Sequence, residues 1–173
     1  MGRSQSKYDR FPGFLAAAEA DTAAGRLAAI ERALGEGIGH KLFTVLVVNW
    51  EAQENQRCYS SLAAAYPVGG AKPITPGSLD AVLAGRCRFL DTYDAIAAVF
   101  PDHALIRSLG CESCVNIPVR WDGRTIGMLN VLHEANWYTA ADVPTFAIFA
   151  ALAAPALQQV IAGWGGARRA VGG

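Results

Sequence analysis

The chain has 173 residues, 52% of them hydrophobic and 17% charged, with fifteen Lys and Arg balanced by fifteen Asp and Glu. That length suits one compact unit with short tails, and a charged fraction below the roughly 25% of ordinary globular chains points to apolar surface that a second subunit covers. Neither sign forms a long run, which excludes the electrostatic footprint of a nucleic-acid binder or of a protein that grips acidic lipid.

Residues 1–12 read as a polar lead, 13–162 as a single folded unit and 163–173 as a glycine-rich tail. The apolar stretch FLAAAEAD is broken by Glu19 and Asp21 before it reaches the length of a signal-peptide core, so no export signal is expected. Asp21 or Thr22 caps a helix whose Leu27, Ile30, Leu34 and Ile38 recur at helical spacing, and Gly35, Gly37 and Gly39 mark its end. Residues 41–50, KLFTVLVVNW, are β-branched and aromatic without alternation, the pattern of a strand covered on both faces. A polar turn over 51–55 leads to a partner strand over 56–61, and residues 66–76 are rich in Gly and Pro. Ser78 then caps a short helix that Gly85 ends, followed by a short strand over 87–90.

Residues 94–100 read as a helical turn, and 101–110, which carry His103 and Arg107, as a loop or irregular helix where a pocket lid would sit. Residues 115–119 and 125–133 form the clearest strand pair, joined by a turn containing Asp122-Gly123. Thr139 with Asp142 three residues on starts a long final helix. Its uncharged run over 143–161 is long enough to span a bilayer, yet Pro144, Pro155, Gln158, Gln159 and its many alanines favour a buried helix, and no membrane partner is expected. Helix, strands, short helices, hairpin and final helix place the chain in the mixed α/β (α+β) class, an antiparallel sheet with helices on its faces.

Four cysteines, Cys58, Cys87, Cys111 and Cys114, are too few and too irregular for a disulfide framework, so reduced thiols in a cytoplasmic protein are expected. Cys111 and Cys114 have redox spacing, but a strand follows them where a thiol-activating helix would be needed. A reactive pair, a metal site and ordinary thiols at a pocket edge are the alternatives, and the scattered His40, His103 and His133 leave no metal set. Asn116 and Asn130 sit inside strands, where an amide needs partners. A three-residue turn would set them opposite each other on one face with Cys114 and Leu132; a two-residue turn would separate them. Whether they bond backbone or line a pocket stays open, as it does for His103, a lid donor or a loop residue. Trp50 and Tyr59 form an aromatic wall or simply core. No Ser-His-Asp order, phosphate loop or HExxH is present to support a hydrolase or nucleotide enzyme.

The segment CVNIPVRWDGRTIGMLNVLHEANWYTAADV, through its Pro118, Asp122-Gly123, Ile126-Gly127, Leu129-Asn130 and capped helix, resembles the closing hairpin and last helix of GAF domains. The likeness extends more loosely over residues 22–162. It implies about six antiparallel strands, the first and last helices on one face, and a ligand pocket under short helices on the other. Known members bind cyclic nucleotides, bilins, haem, nitrate or amino-acid derivatives, and most are sensory modules. The cyclic-nucleotide signature and the Cys-His dipeptide of bilin attachment are missing here. The segment VFPDH also resembles the stand-alone members that reduce free methionine sulfoxide, but the position of their catalytic cysteine falls near Ile106 or Arg107, and those of their pocket carboxylates near Cys114, Asn130 and Leu132. Reductase activity is therefore not expected. The resemblance implies a small-molecule-binding sensor acting through a partner and pairing through its first and last helices; the residues weighed above make Trp50, Tyr59, His103, Cys114, Asn116, Asn130 and Leu132 the candidates at the ligand, and no cofactor is expected. The rival is a thiol enzyme using Cys114 or Cys111 with His103.

Overall fold

The computed structural model describes residues 13–74, 77 and 79–171, with side chains through 163. The expected cap Ser78 lies outside the described residues. Chain order is α1 (Gly13–Glu19), α2 (Ala23–Gly37), β1 (Leu42–Asn49), β2 (Glu54–Ser60), β3 (Ala71–Pro73), α3 (Asp80–Leu83), β4 (Arg88–Leu90), α4 (Tyr93–Val99), α5 (His103–Ser108), β5 (Ser113–Trp121), β6 (Arg124–His133) and α6 (Val143–Val171). The strands form one antiparallel sheet in the order β3-β2-β1-β6-β5-β4.

Both faces of the sheet are covered, which is why β1 shows no polar alternation. Phe43, Val45 and Val47 of β1, Val115, Ile117 and Val119 of β5, and Leu129 and Val131 of β6 pack with α2 and α6. The alternate positions Leu42, Val48, Cys114, Met128 and Leu132 pack with the short helices on the opposite face. The entry helix begins where expected, Thr22 accepting from the Gly25 amide at 3.0 Å. α1 was not anticipated, because its run of alanines shows little periodicity; Arg26 holds it by donating to the Ala17, Ala18 and Ala20 carbonyls.

α6 is introduced by a capping box between Thr139 and Asp142. Trp137 and Tyr138 anchor its approach by donating to the Ile38 and Gly39 carbonyls, both at 3.0 Å. By length and composition the stretch Ala140–Gly163 is apolar enough to cross a membrane, with mean hydropathy 1.7, but Phe146, Phe149 and Leu157 are buried against the sheet and α2. Pro155 lies on its exposed side, as does Ala151, whose carbonyl loses its helical partner to the proline. The backbone of residues 163–171, expected to be a separate glycine-rich tail, continues as helix.

Two β-bulges decide which side chains share a face. The β5–β6 turn has two residues, Asp122 and Gly123, both at positive φ. Such a turn was expected to part Asn116 from Asn130. Ile126, however, is an extra residue between the pairs Val119–Gly127 and Arg120–Thr125, and it restores the register that sets Asn116 opposite Asn130. In β2, Cys58 is extra between Val45–Tyr59 and Leu46–Arg57. Arg57 therefore faces the short helices and Tyr59 the long ones.

Candidate functional site

Beneath α3, α4 and α5 the sheet carries a cavity of about 430 Å³, within the roughly 300–1,000 Å³ of small-molecule sites. Thr44, Cys114, Asn116, Met128, Asn130 and Leu132 from β1, β5 and β6 form its floor. Asn55, Arg57 and Lys72 stand along the β2–β3 side, while Leu79, Val99, Phe100 and Ile106 cover it.

A polar chain crosses this floor. Arg88 Nε donates to Asn116 Oδ1 at 2.8 Å, Asn116 Nδ2 to Asn130 Oδ1 at 2.6 Å, and Asn130 Nδ2 to Thr44 Oγ1 at 3.0 Å. Each member satisfies the next, so three buried polar side chains are held without loss of hydrogen bonding. Burial pulls the Arg88 guanidinium below its ordinary pKa, but the group stays charged.

The lid is tied to the sheet by a second cluster. Asp102, just before α5, accepts from Tyr66 Oη at 2.6 Å and from Lys72 Nζ at 2.8 Å. Burial raises the Asp102 carboxyl, but these two bonds, the Lys72 charge and a backbone hydrogen bond together outweigh it and hold the group below the ordinary carboxylate value. The Arg57 guanidinium lies 3.7 Å over the Tyr66 ring and donates to the Pro67 carbonyl at 2.7 Å.

Of the expected site residues, Cys114, Asn116, Asn130 and Leu132 line the cavity together. Trp50 stands elsewhere: its indole donates to the Thr125 carbonyl at 3.1 Å and borders a surface hollow with Trp121 and Arg124. Tyr59 is turned to the α2 face by the Cys58 bulge, where its hydroxyl bonds Glu31. His103 lies at the start of α5, its Nδ1 sharing a 2.7 Å hydrogen bond with Tyr93 Oη. Cys111 is packed among Leu42, Ile96 and Ile106.

The thiols are poorly placed for chemistry. Burial pushes Cys111 to about 11 and Cys114 to about 12, so both are protonated at neutral pH. His103 bonds Tyr93 rather than either sulfur. Among the described residues no group of His, Cys, Asp and Glu could hold a metal ion.

Arg57, Lys72 and Arg88, none of them among the residues expected at the ligand, all line the cavity, with no carboxylate among the described lining residues. Arg57 was legible in principle. It stands two residues from Asn55 in a strand whose buried positions alternate, and a polar pair recurring on a covered face is a pocket signal. Lys72 and Arg88 lie in three-residue strands too short to show a period.

Against known proteins, a family model described as GAF domain matches residues 16–158. A comparison with the curated proteins finds no match. Among solved structures, the chain is similar to the GAF domain of an Acinetobacter phosphoenolpyruvate-protein phosphotransferase, at 13% identity and TM-score 0.71 over 92% of this chain and 97% of that one. It is also similar to a free methionine-R-sulfoxide reductase from Neisseria meningitidis, at 18% identity and TM-score 0.64 over 91% and 94%. The chromophore-binding domain of a bacteriophytochrome from R. palustris follows, at 11% identity and TM-score 0.63 over 91% of this chain and 65% of that one. Identities this low speak to fold alone.

Proposed function

The chain belongs to the GAF domain family, and from that premise we propose that it is a cytoplasmic small-molecule-binding sensory module that regulates a partner. The observation that carries this reading is the cavity itself: a satisfied polar floor, apolar cover and a lid tied down by a single acid. A small molecule entering there touches α4, α5 and the sheet at once, so binding tightens the lid against the floor and changes the surface that a partner reads. By resemblance the reductases' cysteine falls near Ile106 or Arg107 and their pocket carboxylates near Cys114, Asn130 and Leu132, which supports binding without turnover. Pairing of two copies through the first and last helices belongs to the same proposal.

Hydrogen exchange tests it. A metabolite extract from the protein's own host is expected to slow exchange across α4 and α5 in the wild type. Leu46→Trp, which fills the cavity, should abolish that protection. Exchange that stays unchanged over both helices in the wild type defeats the reading.

A further inference from the structure

Arg57 is a charged group taken almost wholly out of water. The residue is 8% exposed, and its Nε is buried with no hydrogen-bond partner. Its Nη1 donates to the Pro67 carbonyl and its plane rests on the face of Tyr66, and among the described residues no carboxylate forms a salt bridge with it. A cation–π contact offsets only part of the cost of such a charge, and a buried cation normally has a counter-charge. Asp102, which shares Tyr66 with Arg57, is already engaged by Lys72 and Tyr66. Arg88 adds a half-buried guanidinium to the same lining, and over Arg57, Lys72 and Asp102 alone the balance is positive. Beside the polar floor, Leu46, Val99, Phe100 and Met128 give the wall its apolar part.

We propose that the cavity takes a small organic anion, its oxyanion group seated at Arg57 and its apolar body against Leu46, Val99, Phe100 and Met128. This rests on the cavity being the ligand site. An oxyanion supplies both the counter-charge and the paired acceptors that the unpartnered guanidinium edge lacks; a neutral amide supplies a single acceptor without the charge, and an ammonium supplies neither.

The test is a titration of the full chain with matched probes: phenylacetate against phenylacetamide, hexanoate against hexanamide, phenyl phosphate against phenol, and phenethylamine as the cation. Calorimetry gives affinities, and the Nε–Hε resonance of Arg57 in the ¹⁵N-labelled protein reports the seat. At least one anion should bind about tenfold or more tightly than its neutral partner and move that resonance. Phenylacetate against phenyl phosphate then separates a carboxylate site from a phosphate site. Arg57→Met should reduce the anion-to-neutral ratio about tenfold, with a circular dichroism spectrum and thermal melt close to wild type showing that the variant is folded. Should Arg57→Met fail to fold, Arg57→Lys, which keeps the charge but not the fork, is expected to lower the ratio partway. Neutral probes that bind as well as the anions, or an anion preference that survives Arg57→Met, overturn the proposal while leaving the cavity a ligand site. Absence of binding by every probe at millimolar concentration removes the ligand site and the proposal together.

Discussion

Asn130 joins three strands through one amide, accepting from Asn116 on β5 and donating to Thr44 on β1. Replacing it with leucine strands two buried polar groups, so Asn130→Leu should lower stability by about 1–3 kcal/mol, read from the urea midpoint; an unmoved midpoint would show that water replaces the amide. Gly127 is constrained by space rather than by φ. A Cβ there would stand 2.3 Å from the Leu46 carbonyl oxygen and 2.4 Å from Leu157 Cδ2, where α6 rests on the bulged strand. Gly127→Ala is accordingly expected to cost about 1–3 kcal/mol or more, and a thermal melt equal to wild type would contradict that packing. The cysteines yield a chemical prediction. With burial holding Cys111 near 11 and Cys114 near 12, iodoacetamide at neutral pH should leave both unmodified in the folded protein and label them once urea unfolds it. Rapid labelling of Cys114 in the folded state would revive the thiol-enzyme alternative.

At the scale of elements, α5 is held over the cavity by Asp102. Its folded pKa lies below the ordinary value of 3.8, so the stability it contributes is present above that value and is lost as pH falls through the folded one. Wild type should therefore exceed Asp102→Asn in urea midpoint at neutral pH, and the gap should close in acid; curves that stay parallel would mean that the clasp does not matter. Much of this architecture was legible in the sequence. The capped entry helix, the hairpin around Asp122-Gly123 and the Thr139–Asp142 start of the last helix each rest on local chemistry that a sequence displays. The bulges at Cys58 and Ile126 were not, because one extra residue in a strand leaves no mark in composition or period. Those two insertions decided the site: one brought Asn116 and Asn130 together despite a two-residue turn, and the other exchanged Tyr59 for Arg57 at the cavity.

At the scale of the molecule, α6 turns an uncharged stripe outward, with Ala147, Ile148, Ala151 and Pro155 exposed, while Leu15 of α1 is 66% exposed. The proposed pairing of two copies buries these residues against their counterparts. Sedimentation at micromolar concentration should find a dimer, and Ile148→Glu should give a monomer with unchanged circular dichroism. Phe149→Glu is unsuited to this test, since Phe149 is 1% exposed and part of the core; a wild-type monomer would defeat the pairing. The central claim, that the cavity beneath α3, α4 and α5 holds a small molecule, is tested most directly by native mass spectrometry of protein purified from its own host. The account predicts a mass excess of one small organic compound per chain that Leu46→Trp abolishes. A wild-type protein carrying only the mass of its chain, or an adduct that Leu46→Trp retains, would contradict it.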